Sequence, residues 1–394
     1  MNKLMALTML AVTTMLTAAD WPQFRGINGV GSSAETNLPA GFDAKTGPKW
    51  KAALPGRGVS APVIVGDMVY VTASSGVRDD RLHVLAFSAK TGEQLWHRQF
   101  AATGSTSAHP DTSMAAPTPV ADASGVYALF ATGDLAAFAP DGTLRWYRSL
   151  VDDYPNITNQ VGMASSPILA KSGLIVPMDN AGDSFLALID LATGKNLWKT
   201  ARPKEANWTT PILRDLPDGK QEVLFCGSNL TAYDTSMGSK KWTAKYGGSI
   251  PSPSLAGDML LLPGGGVTIG KLEAEGVAEL WKSPRISTGM TSPVAFQGKV
   301  YGVTGAGVLY CADGKTGKID WDFRVKGKFS ASPVAADGKL YLFAEDGRLV
   351  TVKLGAEPEV IAESDTKERG QATPSIAGGA IFLRSERTLW CIGK

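Results

Sequence analysis

The chain has 394 residues and a net charge of +2, and 19% of its residues are charged, fewer than the roughly 25% of an average soluble protein. No Lys/Arg run breaks the balance, which excludes a nucleic-acid footprint or a patch for anionic lipid, and the 44% hydrophobic content excludes long disorder. Glycine occupies 44 positions, above the usual ~7%, and points to the many tight turns of an all-β chain.

The first 19 residues read as a secretory signal. Lys3 gives the positive start, Leu4 to Leu16 is an apolar run interrupted only by Thr, and Thr17-Ala18-Ala19 supplies small residues for cleavage before Asp20. The apolar run is too short to span a bilayer. The expectation is a soluble exported chain, periplasmic or extracellular. No Cys follows the cleavage point, so no lipid anchor is expected.

Residues 20–45 carry no repeat and read as an extended segment. From 46 to the end, a step of a small residue followed by proline recurs eight times. It is marked by Pro62, Pro117, Pro167, Pro211, Pro253, Pro293, Pro333 and Pro374. The last intervals settle near 40 residues, and loops lengthen the first two. Each proline is followed by β-rich runs and a TG-like turn, then by a tryptophan: Trp96, Trp146, Trp198, Trp242, Trp281 and Trp321. In the seventh copy Val360 stands near the Trp position. The eighth copy ends before reaching it, and TGPKW (46–50) upstream supplies the missing piece with Trp50. Four short strands per copy at this period predict an all-β fold, an eight-bladed β-propeller of four-stranded antiparallel blades. An N-terminal strand closes the last blade, which leaves no unpaired sheet edge at the seam. Trp21, Phe24 and Arg25 are expected to pack across the propeller face.

Cys226, Cys311 and Cys391 are far apart and form no CxxC pair. That disfavours a disulfide framework, a zinc site or a c-type haem, and leaves three small buried residues in strands.

The unit resembles the PQQ-like (quinoprotein-type) repeat, in which SPVV, G-VYV, ALD and TG-W elements follow one another. The resemblance covers about 46–394, and DWPQFRGINGVG (20–31) is similar to the opening of exported bacterial propellers of this kind. The resemblance implies a fold more than a function. One branch comprises PQQ- and calcium-dependent dehydrogenases, commonly with adjacent cysteines that this chain lacks. Another includes the scaffold propeller of the outer-membrane β-barrel assembly machine. The leading expectation is a non-catalytic, monomeric, exported scaffold in the cell envelope, with no cofactor, binding a protein or a small ligand. The alternatives are a PQQ-dependent alcohol or sugar dehydrogenase and a carbohydrate-binding or carbohydrate-cleaving propeller.

Candidate residues follow from position. Trp208 replaces the small residue usual before an inner strand, so it is expected in the central channel, and Arg57, Arg285 and Lys328 precede inner strands as well. His109 and Asp111 lie in a long loop, 101–117. Asp153 stands in a second polar loop with Asp152, Asn156, Asn159 and Gln160. Asp179 and Asp183 bracket a glycine turn. Each of these acids also suits an ordinary polar loop or hairpin. No nucleophile elbow, phosphate loop or HExxH helix occurs.

Overall fold

The computed structural model describes residues 20–43, 45, 47–158 and 161–393. The signal sequence read at 1–19 lies outside these residues, as do Thr46, Asn159 and Gln160. The chain forms eight four-stranded antiparallel sheets, the expected eight-bladed propeller. Blades one to seven occupy 63–101, 120–149, 168–201, 212–244, 254–283, 294–324 and 334–365. Blade eight combines three C-terminal strands within 375–392 with the strand Trp50–Ala53. Trp50 lies opposite Cys391 and Ala53 opposite Thr388, so the two ends of the chain share one sheet.

Blade burial follows from this stacking. The two middle strands of blade two, Gly125–Leu129 and Asp134–Phe138, are buried at every position, because a neighbouring blade covers each face of the sheet. Outer strands such as Asn196–Ala201 alternate between partly buried and exposed residues, as the period of two requires.

Two repeat positions differ from the sequence reading. The inner strand of blade two begins at Val120, so its key proline is Pro119, not Pro117, which belongs to the preceding loop. In blade seven Ala362 pairs with Thr351, as Trp321 pairs with Cys311 in blade six. The Trp register is therefore held by Ala362. Val360 pairs with Val352 across the bulge.

With Pro119 in place, the residue before each inner proline becomes a regular column: Ala61, Thr118, Ser166, Thr210, Ser252, Ser292, Ser332 and Thr373. The backbone N–H of each member from Ala61 to Ser332 donates to the hydroxyl of the next, at 2.9–3.2 Å. Seven links run round the channel. The eighth is missing, since Ala61 has no hydroxyl to receive the Thr373 N–H.

The outer tryptophans tie blade to blade at a larger radius. Trp50, Trp96, Trp146, Trp198, Trp281 and Trp321 donate their indole N–H to carbonyls of Ala89, Pro140, Leu191, Thr235, Gly314 and Gly355 in the next blade. The turn glycine beneath five of these rings, all but that of Trp321, is needed for space as well as conformation. Gly317 has φ +70°, and a Cβ there would sit 2.5 Å from the Trp281 ring.

The N-terminal segment crosses the channel at the face of the first-to-second-strand turns. Trp21 bridges to Ile64, the Ala121 N–H donates to Pro22 O, Gly29 lies against Ile212, and the Ala335 N–H donates to Gly31 O. The segment then runs outward along blade seven. There the Tyr341 hydroxyl donates to Pro39 O and Phe42 exchanges hydrogen bonds with the Ser364 hydroxyl. It reaches blade eight at Trp50.

Candidate functional site

The crossing segment makes the channel a closed-ended well. Arg25 lies behind this closed end, outside the lining and fully buried, with Nη1 donating to Ser254 Oγ at 2.7 Å and Nη2 donating to Pro293 O. Phe24 contributes to the lining above it, and the seven ring hydroxyls form a belt. The open end is at the loops that lead into the inner strands. The cavity holds about 420 Å³.

The mouth has two unlike halves. Val161, Trp208, Ile250 and Met290 make one arc apolar. The Trp208 indole N–H donates to Gly162 O at 2.7 Å, and its backbone N–H donates to Ser249 O, which hold the ring against the wall. The other arc is ionic. Arg369 donates to Asp111 at 2.6 Å and lies 3.7 Å from Glu345, which pairs with Lys328 at 3.2 Å. The hydrogen bond from Arg369 holds the Asp111 carboxyl below its ordinary range. His109 lines the mouth beside Asp111, 3.8 Å away, and its Nδ1 accepts the Asp111 N–H. Arg57 donates to Pro110 O and lies 3.7 Å from Glu386 in a side recess shared with Arg369 and Gln371.

The geometry thus gathers Trp208, His109, Asp111, Lys328 and Arg57 around one opening. The other candidates lie elsewhere. Arg285 turns outward to Asp322 of the blade-six outer strand, at 3.8 Å, while its neighbour Ile286 fills the interior. Asp153 pairs with Arg148 at 2.6 Å. Asp183 receives a 3.4 Å bond from Asn156. Asp179 is buried under two bonds from Arg202, at 2.7 and 2.9 Å, and a third from Asn207 at 2.9 Å. Arg202 also lies flat over Phe225, 4.0 Å from its centroid. Asp179 is thus a clamp between blades three and four. Among the described residues no group of three His, Cys, Asp or Glu is placed to hold a metal ion.

A family model described as "Outer membrane protein assembly factor BamB" matches residues 32–244 and 265–383. The chain belongs to this family. BamB of Burkholderia pseudomallei is 26% identical over 334 residues, covering 83% of this chain and 71% of that one. A polyvinylalcohol dehydrogenase of a Pseudomonas species is 29% identical over 170 residues, 39% of this chain, and the match spans only 24% of the dehydrogenase. Two solved structures share the fold. BamB of Moraxella catarrhalis superposes with TM-score 0.64 at 15% identity, covering 88% of this chain and 96% of that one. The quinohemoprotein alcohol dehydrogenase of Comamonas testosteroni gives 0.72 at 14%, covering 95% and 81%.

The BamB-type repeat hid two features from sequence reasoning. One is the hydroxyl belt, which becomes a visible column only when Pro119 replaces Pro117. The other is a polar chain in blade one. There Ser75 Oγ lies 2.7 Å from His83 Nε2, and His83 Nδ1 lies 2.8 Å from His97 Nε2. Burial, with the neighbouring His97 and Arg81, pushes His83 down to about 4. Burial pushes all three cysteines the other way, up to about 12 for Cys226. That keeps them as inert thiols.

Proposed function

We propose that this chain is an exported, non-catalytic propeller that docks a protein partner at the open mouth of its channel, in the assembly of the cell envelope. The observation that carries the reading is the divided mouth. Val161, Ile250 and Met290 stand 41%, 42% and 55% exposed beside Trp208, opposite an ion-paired arc. An apolar patch bordered by polar groups is the composition of a protein interface. Membership of a family described as an outer-membrane protein assembly factor supports the same direction. No helix among the described residues is long and apolar enough to cross a membrane.

The quinoprotein alternative requires PQQ and calcium. Trp208 offers a ring to stack on. Among the described residues lining the well Asp111 is the one acid, and Arg369 already engages it. None of the three cysteines lines the well. These residues do not fit a quinone held with a divalent cation, and no redox step is assigned to them. A carbohydrate-binding role has Trp208 and the hydroxyl belt in its favour, but Val161, Ile250 and Met290 beside the ring form an aliphatic arc that suits an apolar partner better than a sugar.

The test places a photo-cross-linking residue at position 290 and, as a control, at position 280 on the outer strand of blade five. Envelope extracts should give a product containing a barrel-assembly protein at 290 and not at 280. Robust dye reduction with alcohols or sugars after addition of PQQ and Ca²⁺ would overturn the reading.

A further inference from the structure

We infer that the well also binds a small monoanion with an apolar body, a carboxylic acid being the simplest case, seated with its charged head on the hydroxyl belt. The inference rests on the well being a binding site, as proposed above, but not on the partner there being a protein.

Three observations converge. First, the belt is a set of donors. Each of its seven hydroxyl oxygens already accepts a backbone N–H from the preceding blade, and among the described residues none of their O–H groups donates to a protein acceptor. They line the cavity and are nearly wholly buried. Donors without acceptors favour an acceptor-rich head group.

Second, the charge is unbalanced. At the rim the cations and acids match one to one: Arg57 with Glu386, Arg369 with Asp111 and Lys328 with Glu345. Arg25 beneath them has no such partner. Its contacts, Ser254 Oγ, Pro293 O and Val30 O, are neutral, and its Nε has no hydrogen bond. Pro293 directly follows Ser292 of the belt, and Ser254 lies two residues beyond Ser252. An uncompensated positive charge therefore sits behind the belt, shielded from water, where a field reaches further than it would in solvent, and Arg384, buried against Ser60 beside Ala61 with neutral partners only, adds a second. Burial lowers this guanidinium to about 9, so it stays charged at neutral pH.

Third, the walls above the belt are apolar on one side, through Trp208, Ile250 and Met290, and the far end is closed by Phe24. A ligand enters head first and leaves its body against these walls. A neutral amide of the same shape gains the walls and the hydroxyls but not the charge. A cation is repelled.

Calorimetry on the mature chain with phenylacetate, phenylacetamide and phenethylammonium tests this. The acid should bind about tenfold or more tighter than the amide, and the ammonium should not bind. Gly-Gly-Leu with a free or an amidated C-terminus separates a free small acid from a polypeptide terminus as the source. Binding confined to the free-terminus peptide assigns the head to a chain end. Arg25→Gln, checked for folding by thermal unfolding, should cut the preference for acid over amide about threefold or more. Ser292→Ala/Ser332→Ala keeps Arg25 and should weaken the acid about fivefold or more, so it decides the matter if Arg25→Gln does not fold. Equal binding of acid and amide overturns the proposal. So does a preference undiminished by Arg25→Gln in a folded protein, or no heat from any carboxylate at about 10 mM, where even a millimolar site is seen. Failure here leaves the cross-link at position 290 untouched. Loss of that cross-link with carboxylate binding intact counts only against the protein-docking reading.

Discussion

Phe42 stacks flat on Trp390, with ring centroids 6.0 Å apart and planes inclined by 7°. Phe42 belongs to the N-terminal segment and Trp390 to blade eight. Their contact occupies the seam between blades seven and eight, where Ala362 stands in the register of the outer-strand Trp. A Cβ at the neighbouring Gly41 would lie 2.3 Å from the Ser364 hydroxyl and 3.7 Å from Ala362. The segment therefore fills the place of the missing indole.

Phe42→Ala should cost about 2–4 kcal/mol, the range for deleting a partly buried aromatic ring. Urea unfolding followed by tryptophan fluorescence measures it. A loss below about 0.5 kcal/mol would mean that the segment only rests on the blades.

Ala61→Ser supplies the acceptor that the Thr373 N–H lacks and completes the hydroxyl ring. Ala61 is buried at the seam of blades eight and one, where Arg384 already donates to Ser60 Oγ at 2.6 Å. A gain of about 0.5–1.5 kcal/mol is expected, read as a higher urea midpoint at unchanged slope. Ser292→Ala, which removes an existing link, should move the midpoint the other way.

Asp179→Ala leaves the Arg202 guanidinium buried without its counter-charge. The expected loss is about 3–5 kcal/mol. Asp153→Ala serves as the control. Its pair with Arg148 is half exposed and should contribute less than about 1 kcal/mol. Thermal unfolding of the two variants should separate them clearly.

Acid should loosen blade one through His83. Its folded value near 4 lies below the ordinary 6.5, first through burial and then through His97 and Arg81. The unfolded chain takes up a proton as pH falls through about 6.5, and the folded chain resists until about 4. Stability is therefore full above that window and is lost on descending through it, by about 3–4 kcal/mol in all at ~1.4 kcal/mol for each pH unit between the two values. Urea midpoints at pH 7.5, 5.5 and 4.5 should fall less steeply in His83→Gln than in the native chain. Parallel profiles would remove His83 from the acid response.

Blade count, ring closure by Trp50 and the identity of six outer tryptophans were legible in the residues, because each is a local pattern repeated at a fixed interval. The second blade's proline was misread because Pro117 and Pro119 both follow small residues, and only strand pairing tells which one starts the inner strand. Val360 stands near the Trp position in the sequence but two residues before the register itself. The bulge in that hairpin shifts the pairing to Ala362, and no composition signal marks a bulge. Among the site candidates, Trp208, His109, Asp111, Lys328 and Arg57 were flagged by position or residue type. Arg285 and Asp179 fitted the same criteria and face other ways, because the side a loop side chain takes is set by its neighbours in space.

By itself, then, the sequence determined a closed ring of eight sheets, since a four-strand unit with one apolar interface on each side can satisfy itself only against copies of itself. What only the tertiary structure decided is that the ring's channel is blocked at one end. Residues 20–36 carry no repeat and no periodic pattern, so nothing local says where they lie. Their position comes from contacts hundreds of residues away in sequence: Arg25 with Ser254 and Pro293, and Gly31 with Ala335. Those contacts turn an open channel into a well.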